Sequence, residues 1–362
     1  MVYKEFLPIK SDVVAKMSRR IGATVVSATI TNALGLTEPR LMENMVHAGH
    51  ESEGAFRVIH LPVLRAEVVE HLMLEEDGVY VDGTTGAGGH SQAILQAQPS
   101  VKTVLGIDCD ARSMAASRSL LAEFGQRFVS IHGNYADMSE LAADRGITEV
   151  NGVLLDLGFS SRQVENPGYG LSFQADEPLD MRYDLNGDVT AAEIVNTYSE
   201  RDLGQLIRRF GEESRGMSIA KAIVKGRPVN TTAQLASIVQ EVLGRRPGQK
   251  VNPATKTFQA LRIAVNQELS NVERGLSVAI SLLVSGGRMA VISYHSLEDR
   301  IVKLFFKHEA ATCVCPAGLP LCVCGQIPRI NIVNLRVIKP SNEEVKSNPR
   351  SRSARLRVIQ KI

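Results

Sequence analysis

The sequence predicts an α/β protein: a parallel sheet with helices on both faces, interrupted by an all-helical insert. Three observations carry this. Short apolar runs alternate with helix-like runs from residue 78 to 156. The alternation then stops, and from about residue 166 to 271 only helix-like segments follow. A strand-then-helix pair resumes at residue 287. Short strands that are apolar throughout belong to a sheet buried on both faces, and parallel neighbours need crossover helices.

Each element has its own signal. "HLPVLRAEVVEHLML" places Leu61, Leu64, Val68 and Leu72 on one helical face, with Pro62 near the first turn. "GVYVD" (78–82), "KTVLGID" (102–108), "RFVSIH" (127–132) and "NGVLLD" (151–156) are strands; "HSQAILQAQ" (90–98) and "ARSMAASRSLLAEF" (111–124) are the helices between them. In the insert, "SERDLGQLIRRFG" opens on Ser199 with Asp202 three residues on, a capping box. "SIAKAIVKG" and "TTAQLASIVQEVLG" end on glycine, as helices often do. The stretch from Pro253 to Gly287 is long enough for one helix or two. "GRMAVISYHS" (287–296) is a strand and "SLEDRIVKLFFKHEA" a helix, whose start Ser296 caps with Asp299 at its third position. The expected organisation is a weakly ordered extension (1–55), a sheet domain (56–165 with 272–362) and a helical insert (166–271). "MSRRIGATVVSATITNALGL" in the extension is too rich in Ser, Thr and Asn for a signal-peptide core, and Glu5 and Asp12 fit an organellar transit peptide badly. An upstream start codon before Met42 or Met45 would account for it equally.

A chain of 362 residues with 44% hydrophobic and 22% charged residues is that of a folded protein, and no apolar run reaches the length of a membrane span. The net charge is only +2, but residues 326–362 hold nine Lys/Arg against two Glu, and residues 200–250 ten against five. Such clustering is either solvated helix faces and a tail or the footprint of a polyanion. Of five cysteines, Cys109 stands alone, and Cys313, Cys315, Cys322 and Cys324 form C-x-C-x6-C-x-C. An odd, clustered set implies a reducing compartment: the cytoplasm, with an organellar matrix as the alternative. The four thiols are either zinc ligands or a buried or redox-inert hairpin, and no metal ligand is assigned at the catalytic site.

The chemistry centres on "YVDGTTGAGGHSQAIL" (80–95). Four glycines fall between Gly83 and Gly89, at the junction of the first strand and its helix. Glycine lets backbone approach a ligand closely, and a helix start offers free N–H groups. Asp108, at the end of the second strand, is placed to accept hydrogen bonds from ribose hydroxyls. The loop lacks the G-x-G-x-x-G spacing of a dinucleotide site. It suits S-adenosylmethionine, which has no pyrophosphate to cradle. Tyr135, after the third strand, is placed to pack on adenine.

The chain resembles the 16S ribosomal RNA cytosine-N4 methyltransferases, the small-subunit methyltransferase H or MraW-like family. The resemblance rests on "HLPVLRAEVV", "DGTTGAGGHS", "GIDCDA", "LLDLGFSSRQ", "GLSFQADEPLDMR", "RRFGEES", "NPATKTFQALRIAVNQEL", "ISYHSLEDRIVK" and "NPRSRSARLR", in order from His60 to Arg357. Tyr294 stands where the family pattern has Phe, and Lys256 where it has Arg. The resemblance implies a Rossmann-like class I methyltransferase sheet and S-adenosylmethionine as cofactor. Gly88, Gly89 and His90 would meet its methionine part, Asp108 its ribose and Tyr135 its adenine, while Asp156 and Gln163 would close the site at the fourth strand.

The implied reaction is methyl transfer to the exocyclic N4 of a cytidine in small-subunit ribosomal RNA, free or in a 30S-type particle. Asp156 is a candidate acceptor for the amine, helped by Ser160 or Ser161. His295, at a strand end, is a second catalytic candidate, or merely packs. Lys256, Phe258 and Arg262 in the insert and Arg350, Arg352, Arg355 and Arg357 in the tail are candidate RNA contacts, by phosphate binding and stacking. Competing readings are a non-catalytic RNA-binding assembly factor on the same fold and, against the glycine spacing, a nicotinamide-dependent oxidoreductase.

Overall fold

The computed structural model describes residues 62–159, 163, 168–244, 252–316 and 321–362. The expected extension and the candidates Ser160 and Ser161 lie outside these residues. Strands β1 (Val79–Asp82), β2 (Thr103–Asp108), β3 (Phe128–His132), β4 (Val150–Asp156) and β5 (Leu283–Ser293) run parallel. With β6 (Ile330–Ile332) and β7 (Arg355–Lys361) they form one sheet of order β3-β2-β1-β4-β5-β7-β6, in which β7 is antiparallel to both neighbours.

Side chains alternate between two cores, as the two-residue strand period requires. Val81, Leu105, Ile107, Val153, Leu155 and Val291 enter one; Tyr80, Val104, Leu154, Ala290 and Ile292 enter the other. Both faces are therefore buried, which is why the strands carry no polar alternation. Helices α1 (Arg65–Leu72), α2 (Gly89–Ala97), α3 (Ala111–Leu120) and α4 (Met138–Ala143) connect or flank β1 to β4. The third stops earlier than expected, and a 3-10 turn over Ala122–Arg127 follows, bent at Gly125 (φ 56°).

Helices α5 (Ala191–Thr197), α6 (Glu200–Gly211), α7 (Gly216–Lys225), α8 (Thr232–Leu243) and α9 (Thr255–Val265) gather around a third core that includes Ile194, Leu206, Ile207, Ile223, Leu235 and Leu261. Ser199 Oγ accepts from Asp202 N at 3.1 Å, and Thr231 with Gln234 closes a full capping box on α8. The long stretch after Pro253 is two helices, α9 and α10 (Glu268–Leu282), separated at Gln267 (φ 50°). The insert boundary expected at residue 271 falls inside α10. Leu269, Val272, Leu276 and Ile280 bury into a sheet core, so α10 belongs with the sheet.

The C-terminal region differs most from expectation. Strand β5 begins at Leu283 and stops at Ser293, because His295, not Ser296, caps α11 (Ser296–Glu309). After α12 (Asn342–Ser347) and a 3-10 turn (Pro349–Ser353), the basic tail becomes β7, paired from Arg355↔Ser293 to Gln360↔Arg288. Leu356, Val358 and Ile359 are fully buried. No helix among the described residues is long and apolar enough to cross a membrane.

Candidate active site

The chain leaves β1 towards β2 and β3 on one side and returns as β4 and β5 on the other, so the sheet order reverses between β1 and β4. Ligands of open α/β sheets sit at that point, outside the carboxyl ends of the strands. Asp82, Asp108, Asp156 and Tyr294 all gather there. The glycine loop is held by its own polar residues. Asp82 is buried; Ser91 Oγ donates to its carboxylate at 2.7 Å and Thr84 N at 3.3 Å, while Thr85 Oγ1 donates to its carbonyl at 2.9 Å. Burial raises the Asp82 pKa, against the opposing effect of His90. A Cβ on Gly83 would lie 2.6 Å from Leu155 Cδ2 and 2.9 Å from Tyr135 Cβ, so only glycine fits. Gly88 caps α2 at φ 93°, where a side chain is strained.

Asp108 accepts from Gly86 N at 2.7 Å on one oxygen and from Asp110 N at 2.8 Å on the other. Each carboxylate oxygen keeps a second lone pair for a hydroxyl donor. Burial pushes its pKa up to about 6, against those two hydrogen bonds. Next to it, Asp110 accepts from Tyr169 Oη (2.6 Å), Ser113 Oγ (2.8 Å) and Gln163 Nε2 (3.2 Å), and caps α3 through Arg112 N. Gln163 thus joins the β2 end through Asp110. Tyr135 lies against Gly275 of α10, whose added Cβ would stand 2.6 Å from the ring.

Asp156 ends β4. Its backbone N–H donates to Thr84 Oγ1 at 2.6 Å, Tyr294 Oη donates to its Oδ1 at 2.8 Å, and His90 Nε2 stands 3.6 Å from its Oδ2. His90 is 6% exposed, yet neither ring nitrogen has a hydrogen-bond partner among the described residues. Leaving such a group unsatisfied costs about 1–3 kcal/mol. An orphaned imidazole beside a helix start and a glycine loop fits a polar ligand that completes its hydrogen bonding. The zwitterionic methionine part of S-adenosylmethionine has that character, so the residues present fit the cofactor.

His295 is otherwise engaged. Its Nδ1 accepts from Glu298 N at 3.4 Å, Nε2 stands 3.1 Å from Glu298 Oε1, and Glu298 Oε2 accepts from Tyr294 N at 3.0 Å. Burial opposes the Glu298 charge, but the His295 hydrogen bond and charge hold its pKa low. The geometry is that of a reciprocal cap through Nδ1, while the buried Nε2 has no hydrogen-bond partner among the described residues.

Glu268 lies close to both, with ligand atoms of the three residues within 4.8 Å of one another. It is already taken: Arg262 donates to both its oxygens at 2.9 and 3.0 Å, and Tyr183 Oη to Oε1 at 3.2 Å. Burial works against the Arg262 charge, but Glu268 outweighs it and raises the guanidinium pKa.

This overturns two expected RNA contacts. Arg262 is 8% exposed, and beyond its pair with Glu268 it lies 4.5 Å over the Phe159 ring, in the loop after Asp156. Phe258 is 5% exposed in the insert core, edge-on to Phe173 at 5.3 Å, and cannot stack on a base there. Arg355 and Arg357 hold Asp299 at 2.8 and 2.9 Å, so they fasten β7 to α11. Lys256 donates to Glu212 O at 3.0 Å while its side chain stays half exposed. Arg350 and Arg352 are exposed on the 3-10 turn. Sequence reasoning missed Asp110 and the role of Tyr294. The Asp-x-Asp at a strand end was a signal for the first; Tyr294 showed only as a departure from the family pattern.

The sheet order, glycine loop and strand-end acids define an S-adenosylmethionine-dependent methyltransferase of the Rossmann-like class. The chain belongs to the MraW methylase family, whose model matches residues 57–362. A protein named ribosomal RNA small subunit methyltransferase H from Thermomicrobium roseum is 47% identical over 313 residues, covering 86% of this chain and 96% of the relative. Relatives of the same name are 46% identical in Dehalococcoides mccartyi (303 residues; 84% and 86% covered) and Geotalea daltonii (307 residues; 84% and 98%).

Proposed function

We propose that the protein methylates small-subunit ribosomal RNA at the exocyclic N4 of a cytidine, in the cytoplasm, on free RNA or a 30S-type particle. The observation that carries this reading is Asp156, fixed by Tyr294 and Thr84 at the end of β4, with His90 beside it, whose ring nitrogens have no hydrogen-bond partner among the described residues. Bound S-adenosylmethionine supplies a methyl group made electrophilic by its sulfonium. Gly88, Gly89 and His90 would hold its methionine end, Asp108 its ribose hydroxyls, and Tyr135 would lie by the adenine. Gln163 supports this side of the site through Asp110.

The cytosine amine is a weak nucleophile because its lone pair is delocalised into the ring. Asp156 accepts a hydrogen bond from the amine and stabilises the positive charge that develops as the amine pyramidalises; as the N4–CH3 bond forms the methyl–sulfonium bond would break to leave the thioether, and the N4 proton would pass to Asp156 or to water. Alignment of the amine with the methyl group supplies much of the remaining rate enhancement. A base reaches such a site only by leaving its stack. The insert helices α5–α9 frame it, with Arg262 of α9 against the Phe159 ring, and Arg350, Arg352 and Lys256 contact phosphates. The test is incubation with labelled cofactor and unmodified small subunits, with the product mapped by mass spectrometry. N4-methylcytidine at one position supports the reading; no transfer, or transfer to another base, refutes it.

A further inference from the structure

The connection between α11 and β6, residues 310–329, lies outside the methyltransferase chemistry. Its described residues form no helix or strand. Its large apolar side chains do not build a core: Leu321 is 78% exposed, Val323 81% and Ile327 78%. Among the described residues its base is fastened by Arg329 N to Glu309 O at 2.9 Å, by the Arg329–Glu309 ion pair at 3.1 Å and by Gln326 Nε2 to His308 O at 3.3 Å. A long connection with no core of its own needs another staple to keep one shape.

The four clustered cysteines supply one. The Sγ atoms of Cys313, Cys315, Cys322 and Cys324 all lie within 4.8 Å of one another. Cys315–Cys322 is 3.9 Å, Cys322–Cys324 3.5 Å and Cys313–Cys324 3.9 Å. A disulfide would bring one pair to about 2 Å. Thiolates at about 2.3 Å from a tetrahedral zinc stand about 3.8 Å apart, which is the spacing found. Two backbone amides point at the sulfurs, Val314 N to Cys324 and Cys315 N to Cys313, each at 3.4 Å. Such donors offset the charge of a metal-bound thiolate. Burial, one form of the hairpin alternative, does not hold for Cys313 and Cys322, which are exposed.

We infer that Cys313, Cys315, Cys322 and Cys324 hold one zinc ion as a closed tetrathiolate site that fixes the connection between α11 and β6. Four thiols fill the coordination sphere and leave no open position, so the site is structural. Tetrahedral sulfur ligation suits zinc or iron–sulfur centres. Thiolates shared between several irons would be spread wider than this mutual spacing, which fits a single ion.

The test uses the full chain, purified without metal-affinity steps under reducing conditions. Elemental analysis should find about one zinc per chain, released when a mercurial blocks the thiols. Cobalt exchanged into the wild-type protein should give the intense thiolate-to-metal absorption of a tetrahedral sulfur site. Cys322→Ser with Cys324→Ser should lower zinc content at least about tenfold while calorimetry still shows S-adenosylmethionine binding. Should that variant fail to fold, the zinc count and the cobalt spectrum of the wild type decide. Protein that stays metal-free after zinc is supplied, carries iron instead, or contains disulfides by mass spectrometry would overturn the inference.

Discussion

Arg262→Ala separates a buried structural ion pair from an RNA contact. The substitution removes a guanidinium that donates to both oxygens of Glu268 at 2.9 and 3.0 Å and covers the Phe159 ring. Glu268, only 10% exposed, would keep Tyr183 at 3.2 Å as its remaining donor in this group. Breaking a buried pair from one side costs about 3–5 kcal/mol, because the surviving charge is left uncompensated. The remaining Tyr183 bond and slight exposure of Glu268 favour the lower end, about 3 kcal/mol. At about 2 °C per kcal/mol for a chain of this size, the melting temperature should fall by about 6 °C.

Arg262→Met with Glu268→Leu should recover most of that loss, since removing both charges leaves no ion stranded. Calorimetric melts of the wild type, both single variants and the double variant give a coupling energy, expected above about 1.5 kcal/mol. RNA binding should keep its salt dependence in Arg262→Ala. A variant that melts like the wild type but loses about one unit of salt slope would make Arg262 a phosphate ligand and refute the buried-pair argument.

Tyr294→Phe removes the donor at 2.8 Å from Asp156 while the ring still fills its place. Because the family pattern carries Phe at this position, methyl transfer should fall by no more than about threefold, about 0.7 kcal/mol, with cofactor affinity unchanged; a tenfold or larger loss in single-turnover rate would show that this chain depends on the Tyr294 anchor. Asp108, with its pKa near 6, holds its proton more tightly folded than at its ordinary 3.8. Through this group, acidification from pH 6 towards 4 favours folding while it withdraws the carboxylate from the cofactor. Calorimetry should therefore show cofactor affinity about tenfold lower at pH 5 than at pH 7, and a flat profile in a folded Asp108→Asn variant. Truncation after Ala354 deletes β7 and should prevent stable folding, seen as lost cooperative melting, whereas Arg352→Ala should melt normally and bind RNA with a shallower salt dependence.

The sequence by itself determined the parallel half of the sheet, the insert's helices, the glycine loop and the acid at the end of β2. Those features are local. Strand and helix periods, helix caps and glycine clusters act over a few residues and survive whatever packs around them. Tertiary structure decided what became of the charges and of the tail. Arg262 and Arg350 are alike as sequence, yet one is buried against Glu268 and the other is exposed, because a charge's partner comes from another element. "SARLRVIQK" looked like a basic tail and holds a strand paired on both sides, since its place depends on β5 and β6 offering edges to it. His295 is a helix cap because Glu298 folds back on it, and Asp156 is held because Tyr294, 138 residues later, arrives beside it. Contacts of that separation follow from chain topology and burial, which local pattern does not encode.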